Sequence, residues 1–515
     1  MLVAGDIATL AFPAVLALAC LGWATSGYFR RRLPLPPGPK GYPLVGNLFD
    51  IPPDFAWEKF NSWCKYYNSD ILHLRAAGTT MIVLNSFEAA IDLFEKRSSI
   101  YSGRPKMTMV REMMGWEFSL AFKDYGAIWR KHRKPTQQAL HPNASKDYLP
   151  HINKSTRTAL ARFLDHPAEM LGNLRLMSAE TITSSTYGIK VMQENDIYVK
   201  AFKEGVEPVI QIFHDPTQFL VEIIPVLKHI PEWFPGAGFK RRTREWKEKT
   251  LDMIELPFGA AKTAISNGTI LPSFVSHFLE RSEELNEVFE EDVVKECAGA
   301  LYAAGSDTTV STIFTCMLCL VKNPEITKRA QRELDSVIVS GCLPDFSDED
   351  RLPYVTAIVN EAIRWQPVTP QGVPHTLSTD DEYEGFLIPA GSVVIPNIWA
   401  MCHDENMYPD SFKFNPDRFL KDGNLDLETQ RDPSLMCFGF GRRICPGRHF
   451  AYASIWLAIA SIIYIFDLEK AKDENGNEID PPGDYDPGLA IMAKPFKYQL
   501  RPRSKDKEDL VRGTQ

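Results

Sequence analysis

Apolar residues dominate the start of the chain and predict a membrane-spanning helix. No charged residue occurs over the 23 positions 7–29, close to the ~20 residues that a helix needs to cross a bilayer. The next three residues, 30–32, are all arginine, whereas a cleaved signal peptide carries its basic residues before the apolar stretch. The positive-inside rule then places everything after residue 32 in the cytosol. A buried core helix is the alternative interpretation.

Helical periodicity recurs along most of the remaining chain. We predict helices over residues 55–67, 86–96, 124–140, 152–171 and 287–322. Runs rich in β-forming residues predict strands within 70–84, 383–395 and 494–501. The predicted fold class is therefore mainly α with a minor β region, preceded by one transmembrane helix. Since no repeat or linker divides the chain, we expect one large domain over residues 48–502.

Three segments differ from this body. Residues 30–47 combine the arginines with five prolines and three glycines, which favour an extended, semi-rigid hinge or a passive linker. Residues 503–515 are rich in charge and are expected to fray. Residues 219–236 are apolar but interrupted by Pro225, Pro231 and Pro235. They belong to the core, or else form a second membrane contact or the lid of an apolar channel.

Composition excludes several classes of protein. Of the 515 residues, 44% are hydrophobic and 24% charged, which is typical of a globular protein with a large core. The net charge of −9 argues against nucleic acid as the main partner, because phosphate binding needs a basic surface. The nine cysteines lie at irregular spacings and indicate thiols in a reducing compartment rather than a disulfide framework.

One of these cysteines, Cys445, lies in a glycine-rich stretch, FGFGRRICPGRHF, at residues 438–450. Backbone N–H groups of Gly439, Gly441 and Gly447 are candidates to donate to a thiolate there, with Arg443 as a nearby positive charge. Zinc would require further nitrogen or sulfur ligands that this stretch does not supply. A lone thiolate suits a metal whose other ligands come from a cofactor. A glycine-rich turn with a chance cysteine is the alternative.

The pattern Phe438-x-x-Gly441-x-Arg443-x-Cys445-x-Gly447 resembles the haem-binding signature of the cytochrome P450 family of haem-thiolate monooxygenases. The resemblance implies that Cys445 binds the iron of haem b and that Phe438 belongs to the cofactor site. It extends over nearly the whole chain and implies the mainly α fold of that family.

The apolar helix predicted around residues 295–323 has an unusual centre. Gly305 is a poor helix former, and Asp307 puts a charge into an apolar run. Ala304, Gly305 and Thr308 form a small flat face, and the Thr308 hydroxyl can bond the carbonyl four residues earlier. A core helix with a tolerated glycine is the alternative. The segment resembles the family's oxygen-activation motif, which implies that Thr308 and Asp307 deliver protons and that Gly305 lies at the cofactor.

Further residues match family motifs. Glu361 and Arg364 are three apart and match the family's ExxR element. Arg418 matches the arginine that completes the buried network of that element. Without the resemblance, Glu361 and Arg364 would be interpreted as a surface ion pair. A haem also needs cationic partners for its two propionates. The resemblance implies the following partners: Trp129, Arg133, Arg443, His375 and Arg104.

The resemblance also implies partners and a location. Electrons would come from NADPH through a flavoprotein reductase, with cytochrome b5 as a further candidate donor. Six basic residues form either the face on which the reductase docks or an ordinary solvated surface: Arg130, Lys131, Arg133, Lys134, Arg442 and Arg448. The protein would be a single-pass protein of the endoplasmic reticulum membrane.

The resemblance is greatest to fungal enzymes of secondary metabolism. The expected activity is insertion of one oxygen atom from O2 into a hydrophobic small molecule, such as a terpenoid, steroid-like, polyketide, aromatic or xenobiotic compound. Two alternatives remain at this point: a haem-thiolate isomerase or dehydratase that works without a reductase, and a haem-binding sensor.

Overall fold

The computed structural model describes residues 33–192, 196–214, 219–280 and 289–513. The predicted anchor at residues 7–29 and the arginines at 30–32 lie outside these ranges.

Helices form most of the described chain, as predicted. The bounds of the α-helices are α1 (Ala56–Tyr67), α2 (Phe87–Ala90), α3 (Ala127–Ala139), α4 (Leu149–Asp165), α5 (Met170–Tyr187), α6 (Ile197–His214), α7 (Leu220–Ile223), α8 (Gly238–Ser266), α9 (Phe274–Glu280), α10 (Glu291–Lys322), α11 (Pro324–Val337), α12 (Pro353–Trp365), α13 (Ile398–Cys402), α14 (Ser434–Cys437), α15 (Arg448–Ile465) and α16 (Lys505–Gly513). Two π-helical turns occur at Ile91–Lys96 and Thr108–Met113.

The strands are short. Their bounds are β1 (Ile71–Ala76), β2 (Thr79–Leu84), β3 (His375–Thr376), β4 (Asp381–Tyr383), β5 (Phe386–Ile388), β6 (Val393–Pro396), β7 (Leu420–Lys421), β8 (Asn424–Leu425), β9 (Phe466–Lys472), β10 (Glu478–Ile479), β11 (Tyr485–Asp486), β12 (Met492–Ala493) and β13 (Tyr498–Pro502). The largest sheet has the order β1-β2-β6-β3. Its parallel pair, β2 and β6, aligns Met81 with Val393.

The central helix is α10. Every residue from Thr309 to Val321 is buried, and the helix packs against α5, α12 and α15. By length and hydropathy, α10 and α15 are the two helices of the described chain that could cross a membrane. Both are mostly buried inside the protein, so their apolar character is explained by the core.

The proline-rich strip is part of the folded body and not the spacer that we expected. The N–H of His73 donates to the carbonyl of Pro37 at 2.9 Å, and the N–H of Leu387 donates to that of Pro34 at 2.8 Å. A Cβ on Gly38 would lie only 1.9 Å from the carbonyl oxygen of His73, so glycine permits this close approach. The folded body therefore begins before residue 48.

The C-terminal tail was expected to fray, but residues 505–513 form helix α16. Val511 is fully buried, and Arg512 pairs with Asp165 of α4 at 2.7 Å. The ammonium of Lys507 lies 3.0 Å from the ring centroid of Tyr464. These contacts with distant parts of the chain stabilise a segment whose own composition predicts disorder.

The segment 219–236 is divided between core and surface. Phe219 and Val221 are buried, whereas Leu220, Val226 and Trp233 are 60%, 67% and 79% exposed. The core interpretation is therefore wrong for much of this segment, and an apolar surface remains to be explained.

Candidate functional site

The Cys445 turn joins α14 to α15. Its backbone is closed by the N–H of Cys445, which donates to the carbonyl of Phe438 at 2.7 Å. Gly441 has φ +53°, and a Cβ there would lie 2.0 Å from the carbonyl oxygen of Phe94. Only glycine fits this position, because both the conformation and the close backbone approach exclude a side chain. The turn therefore holds Cys445 just ahead of the first residues of α15.

The surroundings of the Cys445 sulfur favour a thiolate more than its burial suggests. Burial raises the pKa of the thiol, but the N–H of Gly447 and the charges of Arg133 and Arg448 act in the opposite direction. Our expectation for the other two glycines is wrong. The N–H of Gly439 donates to the Met436 carbonyl at 3.1 Å, and that of Gly441 points to a Glu95 carboxylate oxygen at 3.5 Å.

Cationic side chains gather beside this turn. Burial lowers the pKa of both Arg133 and Arg443 to about 10, and it lowers that of Arg104 well below its usual value. Burial and the charges of Arg104 and Arg443 also lower the pKa of His375, which is therefore neutral. Asp124 is the carboxylate that acts on Arg104 and Arg443. The cluster thus carries excess positive charge and favours an anionic ligand.

Not all donors of this cluster are in use. Arg443 donates through Nε to the Ser102 carbonyl at 2.8 Å, but its Nη2 is buried and has no partner. The indole Nε1 of Trp129 is likewise buried without a partner, and the Arg443 guanidinium lies 4.7 Å from the Trp129 ring centroid. Two buried donors beside excess positive charge fit the carboxylates of a haem, since unpaired buried donors are rare.

Arg104 and His375 are held mainly by the protein backbone. Arg104 donates to the carbonyls of Ala121, Val373 and Pro374 at 2.6–2.8 Å. The Nδ1 atom of His375 lies 2.7 Å from the carbonyl oxygen of Tyr101. These two side chains therefore fix the loops around the cluster, and much of their hydrogen-bonding capacity is already used.

The centre of α10 is accessible from outside the core. Ala304 is exposed although Tyr302 and Ser306, two residues away on either side, are buried. The hydroxyl of Thr308 donates to the Ala304 carbonyl at 2.9 Å. Burial raises the pKa of Asp307, while Arg175 of α5, at 3.6 Å, opposes this shift. A hydroxyl and a carboxyl group are thus adjacent at the exposed part of a buried helix.

Gly305 has a structural role besides the predicted one. A Cβ there would lie 2.6 Å from Cδ1 of Ile182 on α5. Ser178, also on α5, donates to the Gly305 carbonyl at 3.1 Å. The glycine therefore permits the close packing of α5 on α10, and its place at the cofactor stays a prediction.

The ExxR residues form a buried network. Arg364 donates to both carboxylate oxygens of Glu361 at 2.7 and 2.9 Å, and both side chains are fully buried. Arg418 contacts Glu361 at 3.2 Å. Arg364 also donates to the carbonyl of Cys402 at 2.7 Å. The network links α12 to α13 and to the segment around Arg418.

A family model described as cytochrome P450 matches residues 36–500. The chain belongs to the cytochrome P450 family. Cytochrome P450 monooxygenase 98 of Postia placenta is 44% identical to this P450 over 94% of the chain and 93% of that protein. Cytochrome P450 monooxygenase ple1 of Rhodocybe pseudopiperita is 41% identical over 98% and 96%. Tryptamine 4-monooxygenase of Psilocybe cyanescens is 36% identical over 95% and 96%.

These matches confirm the predicted class of enzyme. The chain is a P450 monooxygenase with the mainly helical fold of its family, and the family implies a haem cofactor. P450 monooxygenases generally take electrons from a redox partner.

Sequence analysis missed several residues of this P450 that contact the predicted ones. They are Ser102, Asp124, Tyr125, Arg175 and Ser178. Tyr125 could have been found, because it lies four residues before Trp129 and therefore near the same face of the chain at the start of α3. The other four contact predicted residues that are distant in sequence, and such contacts leave no local signal.

Proposed function

We propose that this P450 holds haem b between α10 and the Cys445 turn, with the Cys445 sulfur as the iron ligand. The observation that carries the proposal is the excess of buried positive charge, with free donors on Trp129 and Arg443, beside a cysteine that accepts the Gly447 N–H. Arg133, which interacts electrostatically with Cys445, adds a further positive charge beside this cysteine. We assign the propionates to these side chains, with Arg104, His375 and Phe438 around them.

Bound haem supplies the activation of O2, with the cysteine thiolate favouring O–O cleavage. The protein supplies protons through Thr308 and Asp307. Because burial raises the pKa of Asp307, its carboxyl group holds a proton more readily than an exposed aspartate. Glu361, Arg364 and Arg418 stabilise the fold through their buried network.

The substrate of this monooxygenase is a hydrophobic small molecule of fungal secondary metabolism. Apolar residues from several segments are only partly buried where they pack against the core cluster that contains Tyr302 of α10: Met107, Met113, Leu301, Val373 and Leu489. Met and aliphatic side chains of this kind adapt to irregular apolar ligands. The named relative that acts on tryptamine extends the candidates to aromatic amines.

Electrons come from NADPH through a flavoprotein reductase, or from cytochrome b5, docked beside α3. A groove of about 600 Å3 follows this helix and is lined by Arg130, Lys134 and His141 among others. Arg442 is also exposed. It lies near the start of α3, because it donates a hydrogen bond to the hydroxyl of Tyr125. Lys131 contributes less than expected, because Glu290 neutralises it at 2.6 Å. An acidic donor surface would complement this basic face.

We further propose that residues 7–29 anchor the enzyme in the endoplasmic reticulum membrane with the catalytic body in the cytosol. The uncharged stretch and the arginines after it support the anchor. The exposed apolar residues Leu220, Val226 and Trp233 are candidates for a second contact with the same bilayer.

The decisive experiment compares the Cys445→Ala variant with wild type in the full-length, haem-loaded protein. Reduction under carbon monoxide should give the thiolate-type Soret band in wild type and in Cys342→Ala, a control at an exposed cysteine. Cys445→Ala should lose this band, and with NADPH and reductase it should lose oxidation of a panel of apolar substrates. A thiolate band in Cys445→Ala would refute the proposed ligand.

A further inference from the structure

Tyr125 is surrounded by three arginines. It lies just before α3, and its hydroxyl accepts hydrogen bonds from Arg442 and Arg130. The guanidinium carbons of Arg442, Arg130 and Arg443 lie 5.3, 5.7 and 6.0 Å from its ring centroid. Partial burial would raise the pKa of Tyr125, but the hydrogen bonds from Arg130 and Arg442 lower it. The ring and the hydroxyl thus hold together three cations that repel each other.

The arginines face in different directions. Arg130 and Arg442 are exposed, and Arg130 also lines the groove along α3. Arg443 is buried and carries the Nη2 atom that has no partner. One tyrosine therefore contacts both the basic surface and the interior cationic cluster.

Tyr125 also contacts the other unpartnered donor. Its ring packs against that of Trp129 with centroids 5.2 Å apart. Its N–H donates to the Asp124 carboxylate at 2.9 Å, and the same oxygen accepts the N–H of Arg104 at 3.1 Å. The position of Tyr125 thus affects Trp129 directly and Arg104 through one shared carboxylate.

We propose that Tyr125 is a positioning residue that couples the docking of the acidic electron donor to the retention of the haem. It holds Arg130 and Arg442 toward the donor and keeps Trp129 and Arg443 toward the propionates. This inference rests on the proposed function, because it needs both a haem at the cluster and a donor at the basic face.

The test separates the hydroxyl from the ring. Tyr125→Phe keeps the ring contact with Trp129 but loses the hydrogen bonds from the arginines, whereas Tyr125→Leu loses both. The control is Tyr66→Phe, at a tyrosine that is 80% exposed and whose ring contacts the neighbouring Tyr67 edge-on. Two quantities are measured on the haem-loaded full chain: the Michaelis constant for the reductase and the rate of haem transfer to excess apomyoglobin.

In Tyr125→Phe, we expect the KM for the reductase to rise roughly tenfold, as for the loss of one charge-assisted hydrogen bond of about 1.5 kcal/mol, with the change falling on KM rather than kcat. Haem transfer should stay within about twofold of wild type, because this variant keeps the ring that packs against Trp129. In Tyr125→Leu, KM should rise at least as far and haem transfer should accelerate roughly tenfold. Tyr66→Phe should match wild type in both.

Two outcomes would overturn the coupling. Either neither quantity changes in Tyr125→Leu, or only one of them does. If Tyr125→Leu does not fold, an unchanged KM for the reductase in Tyr125→Phe is by itself enough to overturn the coupling. The proposed function fails separately, since its failure would appear as a missing thiolate-type carbon monoxide spectrum in wild type, whatever the Tyr125 variants do.

Discussion

Gly305 lies in the middle of α10, where glycine costs about 1 kcal/mol relative to alanine. Alanine would restore that propensity, but its Cβ would lie 2.6 Å from Cδ1 of the buried Ile182. Overpacking of this kind typically costs about 1–3 kcal/mol, so it outweighs the gain in helix propensity. The residue is thus fixed by a contact between two helices.

We therefore predict that Gly305→Ala lowers the free energy of unfolding by about 1 kcal/mol in urea denaturation. In an Ile182→Ala background, which removes both Cδ1 and the Cγ1 atom at 3.0 Å, the same substitution should be neutral or stabilising by up to ~1 kcal/mol relative to that background. Equal destabilisation in both backgrounds would show that Ile182 is not the reason for the glycine.

Thr308 presents a hydroxyl beside Asp307 at the exposed part of α10. Thr308→Ala should keep the thiolate-type carbon monoxide spectrum, because no cofactor-holding side chain changes. Product formed per NADPH consumed should fall severalfold, with the missing electrons recovered as hydrogen peroxide, since general acid–base groups typically contribute about 10²–10⁴-fold to rate. Thr308→Ser, which keeps the hydroxyl, is the matched control. Unchanged coupling in Thr308→Ala would remove Thr308 from proton delivery.

At the scale of elements, a half-buried carboxylate joins two segments that contribute Met109 and Val221 to the same apolar cluster. The N–H groups of Thr108 and Met109, at the start of a π-helical turn, donate to Glu222 of α7 at 3.0 and 2.7 Å. Lys228, which follows α7, also forms an ion pair with Glu112 of the π-helical turn. Burial raises the pKa of Glu222, and the N–H groups oppose this shift.

Glu222→Gln should loosen this connection. An amide offers one oxygen in place of two, and its NH2 group would face a backbone donor. We expect amide hydrogen exchange in residues 107–114 to accelerate about tenfold, the equivalent of one lost charge-assisted hydrogen bond of about 1.5 kcal/mol. Glu207→Gln, at an exposed position on α6, should leave this exchange unchanged. Equal exchange in both variants would contradict the connection.

Local pattern predicted several of the long helices. Helices α1, α3 and α10 match their predicted ranges within a few residues. The helix predicted at 152–171 is confirmed as far as Asp165, where α4 ends, but Pro167 does not continue it, and the chain turns there before α5. Helix α16 was missed because its support, the burial of Val511 and the ion pair of Arg512 with Asp165, comes from distant residues.

The residues of the functional site also fall into those that a contiguous stretch of sequence reveals and those that depend on distant contacts. The Cys445 turn is contiguous, so its glycines and cysteine could be recognised together. The arginine cluster draws on residues more than 300 positions apart, such as Arg104 and Arg443, and only the family resemblance linked them beforehand. The roles of Gly305 and Glu222 depend on partners that no local pattern shows, and the contacts of Tyr125 with Arg442 and Arg443 likewise required the structure.

At the scale of the whole molecule, the described body already includes the residues that directly follow the predicted anchor and its arginines. The carbonyls of Pro34 and Pro37 already accept hydrogen bonds from the body. Deleting residues 1–32 therefore removes none of the described contacts, and the shortened protein should keep its fold. Membrane binding can then be divided between the anchor and the exposed apolar residues.

We predict that the full chain stays with phospholipid vesicles after an alkaline carbonate wash, whereas the chain without residues 1–32 is released by it. The shortened chain should still float with vesicles in neutral buffer, because each exposed apolar side chain that enters the bilayer interface gains on the order of 1 kcal/mol. Replacing Val226 and Trp233 by serine should abolish this flotation. Serine at Ile128 and Phe412, which are 65% and 61% exposed elsewhere on the molecule, should not. A shortened chain that resists the wash would disprove the anchor, whereas equal flotation of the two serine pairs would disprove only the second contact.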